Sequence, residues 1–265
     1  MNHLETLLSR YPALSVCADE IQKAEDMMCK TYYAGGKILA CGNGGSASDA
    51  AHIVGELMKG FLLRRPMNEE TKRKFENTLG EEAESFAKNL QCGIPAIALD
   101  SQHALFTAFA NDVDTDFVYA QQVFGYAREH DLFIGISTSG NSKNVVNAAK
   151  TAKALGIRTI ALTGAKESRL FEICDCTIRV PETETFMVQE LHLPVYHYLC
   201  AEMEERIFGI SSFSCRQEKE SKSTASAVRV TPYEKRTALP SVFRRIKNGF
   251  EKLQSLRFIQ YPRQP

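Results

Sequence analysis

Several signals that would assign a chain to a common class are missing from this 265-residue sequence. No run of about 18 apolar residues occurs, so no membrane-spanning helix is predicted. The first five residues, Met-Asn-His-Leu-Glu, lack the basic and apolar regions of a secretory signal. The eight cysteines show no zinc-finger spacing, which favours free, buried thiols. We therefore expect a cytoplasmic protein.

The chain also has no net charge, and we expect no nucleic-acid partner. The zero hides an asymmetry, because residues 211–265 hold 12 Lys and Arg against 4 Glu, whereas 1–210 hold 20 against 28 Asp and Glu. We predict a main domain at 1–210 and a basic, partly disordered tail at 211–265. An amphipathic helix at 241–256 of the tail could lie on an anionic membrane, dock on the acidic domain or be an incidental extension. We favour the last two.

The main domain is organised around residues 41–56. An apolar run at 37–40 enters the turn Cys-Gly-Asn-Gly-Gly-Ser at 41–46, and a helical apolar pattern leaves it. Glycines let a backbone approach a ligand closely, and the N–H groups of a helix start favour an anion. The spacing fits neither the dinucleotide pattern nor the P-loop. We therefore predict a phosphate-bearing ligand smaller than a nucleotide.

His52 and Glu56 follow this turn four residues apart, and so share one helix face. An imidazole and a carboxylate beside a bound phosphate are typical of acid–base or metal chemistry. The same pair is also common on a solvated helix face, and its spacing does not separate the two alternatives.

Short apolar runs then alternate with helical patterns, as they do in parallel sheets. Strands are predicted at 37–40, 94–99, 131–136, 158–164 and 176–180, and helices at 117–127, 145–155 and 186–208. This order predicts an α/β fold, a three-layer α-β-α sandwich with a central five-stranded parallel sheet. Ligands of such sheets bind at the carboxyl ends of the strands.

A second polar turn falls at such a strand end. Residues 136–142, Ile-Ser-Thr-Ser-Gly-Asn-Ser, follow an apolar run and open a helical pattern. Hydroxyls in such turns often only cap the helix. Because a glycine turn and a serine turn follow two parallel strands, we predict that one holds a phosphate and the other sugar hydroxyls.

The closing helix carries Gln189 and His197. They are eight residues apart, about 80° around a helix and ~12 Å along it. One metal ion with bonds of about 2.0–2.2 Å could hardly take both from one straight helix. If both serve one site, that site is predicted to be shared between subunits. Pro194 lies between them and is expected to interrupt or kink the helix, which weakens the inference.

Two further helical regions flank these motifs. Residues 2–33 are predicted to form two helices divided at Pro12. The polar segment 67–91 is predicted to be a helical insertion, interpreted either as a flap over the site or as a solvated surface excursion.

Together these motifs resemble the sugar isomerase (SIS) domain family, and within it the sedoheptulose 7-phosphate (phosphoheptose) isomerases. The resemblance covers about residues 1–210. It implies conversion of sedoheptulose 7-phosphate to D-glycero-D-manno-heptose 7-phosphate through an enediol, for ADP-heptose or GDP-heptose and cell-envelope polysaccharide. It also implies a homotetramer with sites at subunit interfaces.

The resemblance further implies roles for single residues. Glu56 is the expected base and His197 its acid partner, and one zinc ion is expected at His52, Glu56, Gln189 and His197. The expected substrate-binding residues are Asn43, Gly44, Ser46, Asp112, Ser137, Thr138, Ser139, Ser142 and Gln189. The alternatives are a non-catalytic SIS phosphosugar-binding protein or adaptor resembling the DnaA initiator-associating protein, or an isomerase of another phosphosugar. The adaptor type lacks the Glu/His acid–base pair, which this chain has.

Overall fold

The computed structural model describes residues 3–209, which form helices around one sheet. The helices are α1 His3–Arg10, α2 Ala18–Tyr33, α3 Gly45–Met58, α4 Glu69–Leu79, α5 Ala83–Asn89, α6 His103–Asp112, α7 Val118–Tyr126, α8 Lys143–Ala154, α9 Arg169–Ile173 and α10 Thr185–Phe208. The strands are β1 Ile38–Cys41, β2 Ala96–Ala98, β3 Leu132–Ile136, β4 Arg158–Thr163 and β5 Cys176–Arg179.

The five strands form one parallel sheet in the order β2-β1-β3-β4-β5. The three inner strands, β1, β3 and β4, are buried along most of their length, as expected when helices cover both faces of a parallel sheet. The predicted three-layer α/β sandwich with five parallel strands is therefore confirmed.

Alternate residues of the strands point into two separate cores. Ile38 and Ala40 of β1 pack on one face with apolar residues of α1, α2, α3 and α10. Leu39 and Cys41 pack on the other face with α7 and α8. The first core thus holds α3 and α10, the two helices that carry the predicted acid–base and metal-binding residues.

Some element boundaries differ from the prediction for local reasons. The strand expected at 94–99 is limited to Ala96–Ala98, because Leu99 begins a 3-10 turn. Pro12 does divide the leading region, but it opens a 3-10 segment, Pro12–Cys17, between the two helices. The expected interruption at Pro194 is wrong, since α10 runs unbroken from Thr185 to Phe208 with Pro194 buried inside it.

The insertion at 67–91 is helical, as predicted, and its helices pack mainly on each other. The rings of Phe75 and Phe86 lie 5.8 Å apart, and α4 has no buried residue. The neck of the insertion is closed by a bridge between Pro66 and Gln91. These contacts favour the solvated excursion over the flap.

Within residues 3–209, none of the helices has the length and apolar character that crossing a membrane requires. The predictions for the tail at 211–265, including the amphipathic helix at 241–256, lie outside the described residues.

Candidate active site

Two polar turns meet at the carboxyl edge of the sheet. The glycine turn, residues 42–46, follows β1, and the serine turn, residues 137–142, follows β3, the adjacent parallel strand. The side-chain amides of Asn43 and Asn144 join the two turns by reciprocal hydrogen bonds of 2.8 and 2.9 Å. Tyr119 of α7 holds the glycine turn in place, because its hydroxyl donates a 2.5 Å hydrogen bond to the carbonyl of Gly42. The predicted phosphate and hydroxyl contacts therefore share one edge.

Glycine has a structural reason at two positions of the glycine turn. Gly44 has a φ of +57°, in the left-handed region that other residues rarely adopt. Gly45 begins α3, and an added Cβ would lie 2.7 Å from Nε2 of Gln189. Glycine at 45 thus lets the amide of Gln189, from α10, reach the turn. The hydroxyl-bearing Ser46 is buried beside it.

The side-chain hydroxyl at the start of α8 does not cap that helix. Ser142 occupies the N-cap position, yet its side chain makes no capping hydrogen bond. Its Oγ lies 3.0 Å from Oγ of Ser137 instead. Thr138 and Ser139 line a cavity of about 170 Å³ at this turn. The binding interpretation of the turn is thereby favoured over the capping alternative.

Helices α3 and α10 run side by side in the same direction. Near the start of both helices, Gln189 of α10 lies against Gly45 of α3. Seven residues later on α3 and eight residues later on α10, His52 lies against His197, with ring centroids 5.0 Å apart. The structure therefore brings His52, Glu56 and His197 close together. It places Gln189 beside Gly45 instead, about 12 Å from His197 along α10.

Glu56 has a partner on each oxygen. Oε1 lies 3.4 Å from Nε2 of His52, and Oε2 accepts a 2.6 Å hydrogen bond from Nζ of Lys59. Only 14% of the Glu56 side chain is exposed. Partial burial raises the pKa of Glu56, but the contacts with Lys59 and His52 outweigh it and lower the pKa below its usual range. The carboxylate is therefore ionised and available as a base at neutral pH.

His197 is half-buried beside His52 and the ring of Phe61, whose centroid is 5.7 Å away. Burial lowers the pKa of His197, as does the neighbouring His52, while Glu56 opposes the shift in part. The imidazole is therefore neutral at pH 7 and can both donate and accept a proton.

The sequence analysis missed two residues that orient His52. Nδ1 of His52 lies 3.0 Å from the hydroxyl of Tyr196, which donates to Oδ1 of Asp49 at 3.3 Å. Burial raises the pKa of Asp49, and Tyr196 is buried as well. The signal was present: Asp49 precedes His52 by three residues on the same helix face, and Tyr196 adjoins His197.

This relay bears on the predicted zinc site. The hydroxyl of Tyr196 donates to Asp49, so in a neutral His52 ring that carries its proton on Nδ1 the same hydroxyl accepts from Nδ1–H, which leaves Nε2 free to bind a metal ion. The Nε2 nitrogen of His52 and the carboxylate of Glu56 are ligand types that suit zinc. Nevertheless, among residues 3–209 no group of three or more His, Cys, Asp or Glu side chains is placed to hold a metal ion. The ligand types of His52 and Glu56 fit zinc, but the residues gathered here within 3–209 do not form a complete metal site.

Asp112 lies apart from these contacts. It ends α6, is exposed and accepts a 2.8 Å hydrogen bond from the side chain of its neighbour Asn111. Another carboxylate nearer the strand ends, Asp100, directly follows the β2 region, and its Oδ1 is buried without a hydrogen-bond partner. Sequence reasoning did not single out Asp100.

Comparison with known proteins gives a consistent result. The family model for the SIS domain matches residues 6–88 and 76–164. Phosphoheptose isomerase 2 of Campylobacter jejuni subsp. jejuni is 39% identical over 197 residues, which is 74% of this chain and 85% of that protein. Phosphoheptose isomerase of Rhodospirillum rubrum is 34% identical over 203 residues, covering 77% and 94% of the two chains.

Solved structures match over the same part of the chain. The structure of phosphoheptose isomerase from Neisseria gonorrhoeae superposes with a TM-score of 0.60 and 29% identity, covering 76% of this chain and 94% of its own. A phosphoheptose isomerase from Francisella tularensis gives a TM-score of 0.60 and 27% identity, covering 77% and 100%.

Proposed function

The chain belongs to the SIS domain family, and from this membership we propose that it is an aldose–ketose isomerase converting sedoheptulose 7-phosphate to D-glycero-D-manno-heptose 7-phosphate. The relatives named phosphoheptose isomerase are matched over most of their own length. The observation that carries the proposal is the meeting of Glu56 and His197 around His52, on helices that also border the glycine turn.

The reaction moves a carbonyl from C2 to C1 of the sugar. A base removes a proton from C1, an enediol forms, and a proton is returned to C2, while one hydroxyl proton moves from O1 to O2. Glu56 is the proposed carbon base, because its carboxylate is ionised and nearly enclosed. His197, neutral beside it, is the proposed carrier of the hydroxyl proton.

The two turns supply the proposed binding contacts. We assign the phosphate and the sugar hydroxyls to Asn43, Gly44, Ser46, Ser137, Thr138, Ser139 and Ser142, with Gln189 beside Gly45. The assignment is supported by the adjacency of the turns and by the Ser142 hydroxyl, which contacts Ser137 and does not cap α8. Asp112 is kept as a proposed substrate contact, although it is exposed in the described chain.

We also propose one zinc ion held by His52, Glu56, Gln189 and His197 in the assembled protein. When bound, zinc would polarise the substrate carbonyl. Within a single chain, Gln189 lies beside Gly45, away from His52, Glu56 and His197. We therefore propose that Gln189 of the partner subunit completes the set. A homotetramer with sites at subunit interfaces meets this requirement. The proposal is supported by an open cavity of about 410 Å³ beside His197, lined by α1, α10 and residues 61–62, where a neighbouring subunit would enter.

We place the reaction in the cytoplasm, because the seven cysteines of the described chain are free. The proposed product would supply ADP-heptose or GDP-heptose for cell-envelope polysaccharide.

The proposal is tested by substrate preference. The purified protein is incubated separately with sedoheptulose 7-phosphate, a ketohexose phosphate and a ketopentose phosphate, and kcat/KM is measured for each. We expect sedoheptulose 7-phosphate to give the highest value. Preference for a shorter sugar would assign the chain to another phosphosugar isomerase.

A further inference from the structure

A fully buried ion pair joins the segment after α3 to α10. Nε of Arg65 donates to Oε1 of Glu204 at 2.6 Å, and neither side chain has any exposed surface. The guanidinium also lies 5.1 Å from the ring centroid of Phe208. Charged side chains are rarely buried completely unless they are paired, so this pair holds two parts of the chain in a fixed relation.

The carboxylate of Glu204 binds the backbone of the loop that follows α3. It accepts three backbone N–H groups in succession, from Phe61 at 2.8 Å, Leu62 at 2.6 Å and Leu63 at 2.8 Å. With Arg65, four donors converge on its two oxygens. The loop at 61–63 therefore has its backbone fixed to α10 by one side chain.

The guanidinium of Arg65 binds the end of α3 on its other side. Nη1 donates to the carbonyl of Leu57 at 2.6 Å, and Nη2 donates to the carbonyl of Glu56 at 3.2 Å. These carbonyls lie in the last turn of α3 and have no partner further along the helix. Arg65 thus contacts the backbone of the proposed base itself.

The Arg65–Glu204 ion pair is connected to His197, the proposed acid, in two ways. Glu204 lies seven residues after His197 on α10, two turns or about 10 Å further along the same helix. In addition, the loop fixed by Glu204 carries Phe61, whose ring packs on His197. One buried network therefore connects the backbone of Glu56 with the helix and the packing surface of His197.

We propose that Arg65 and Glu204 are positioning residues for the isomerisation, which hold Glu56 and His197 at the separation that proton transfer needs. This inference rests on the proposed function. Neither residue reaches the two turns that bind substrate in that proposal, so the pair acts on the chemical step more than on binding. A displacement of about 1 Å at reacting groups can cost on the order of 100-fold in rate.

The test uses three variants and one matched control. Glu204→Gln and Arg65→Met each remove one charge and leave the other buried. The double variant Arg65→Met/Glu204→Gln removes both, so that no unpaired charge is left buried. Asp131→Asn is the control, because Asp131 is also buried, pairs with Lys37 and accepts backbone N–H groups, but lies at the amino end of β3, away from the site.

We expect kcat to fall about 10- to 100-fold in both single variants, with KM changed less than about threefold. The melting temperature should recover in part in the double variant, because no unpaired charge remains, while its kcat stays low. The primary isotope effect on kcat, measured with substrate deuterated at C1, should rise because proton transfer becomes slower. Asp131→Asn should lower the melting temperature and leave kcat and the isotope effect unchanged.

Two results would overturn the inference. One is recovery of kcat together with melting temperature in the double variant, which would make the pair only a stabilising element. The other is wild-type kcat in folded Glu204→Gln protein. Failure of the wild-type protein to isomerise the sugar would instead remove the proposed function, and the positioning role with it.

Discussion

At the residue scale, the proposed proton transfer depends on two protonation states. Glu56 must be ionised and His197 neutral before the first proton is taken. The pKa of Glu56 is lowered from 4.5 and that of His197 from 6.5. Both groups therefore stay deprotonated to a lower pH than they would in an unfolded chain. A base with a lowered pKa keeps its activity to lower pH.

This sign gives a prediction for pH dependence. Plotted against pH, kcat/KM of the wild-type protein should fall on the acid side with a midpoint below pH 6.5, the ordinary pKa of histidine. The measurement is initial rates in buffers of constant ionic strength. A falling limb centred at or above pH 6.5 would show that neither side chain has the environment described above.

A second residue-scale prediction concerns His197 as both acid and metal ligand. His197→Gln should lower kcat about 100- to 10,000-fold, the usual contribution of a general acid or base, and should also lower the bound zinc per chain. Zinc is measured by elemental analysis after dialysis. The control is His130→Asn, since His130 is exposed, has a φ of +72° that Asn tolerates, and lies at the opposite edge of the sheet. Full zinc retention in His197→Gln would contradict the ligand assignment.

The sequence predicted the chemistry of single residues better than their partners. His52 and Glu56 could be found because helical spacing places them on one face. Asp49 and Tyr196 were missed since their role depends on the packing of α3 against α10, which is not encoded in local spacing. The contact of Gln189 with Gly45 has the same origin.

At the scale of elements, the serine turn is the part most open to a direct test. Ser142→Ala removes a hydroxyl that contacts Ser137 and does not cap α8. A hydrogen bond to a charged group contributes about 1.5–3 kcal/mol, so KM should rise roughly 10- to 100-fold while the melting temperature changes little. Ser9→Ala in α1, an exposed serine bonded only within its own helix turn, is the control. A normal KM combined with a lower melting temperature would restore the capping interpretation.

Elements were predictable where apolar pattern and turn chemistry agreed, as in β1 with its glycine turn and β3 with its serine turn. The prediction failed where packing overrides local preference. Pro194 lies within the unbroken α10, because the buried contacts of that helix outweigh the lost backbone hydrogen bond. For the insertion at 67–91, helical spacing predicted α4 and α5, but no local pattern could tell whether they cover the site.

At the scale of the whole molecule, the arrangement of Gln189 predicts shared sites. Glu56→Gln and Gln189→Ala proteins should each be inactive or strongly impaired when each is assembled alone. Mixed by unfolding and refolding together, they should recover activity, because some interfaces then combine an intact Glu56 from one subunit with an intact Gln189 from another. Each protein refolded alone is the control. No recovery in mixtures shown to be hybrid would contradict the shared site.

The α/β sandwich itself could be predicted from the alternation of apolar runs and helical patterns, because both faces of the sheet are covered. How subunits assemble could only be inferred from the incompatible positions of Gln189 and His197. The basic tail at 211–265 contributes no residue to the proposed site, and its predicted amphipathic helix stays a prediction.

The central claim is that Glu56 takes the proton that begins the isomerisation. The most direct test is to follow sedoheptulose 7-phosphate by NMR with wild-type protein and with Glu56→Gln, a variant of nearly equal shape that cannot act as a carboxylate base. The account predicts an aldoheptose phosphate signal with the wild type, and at least a 100-fold slower appearance with a folded variant of the same oligomeric state. Equal rates for the two proteins would remove Glu56 from the mechanism, and no product from either would favour a phosphosugar-binding role.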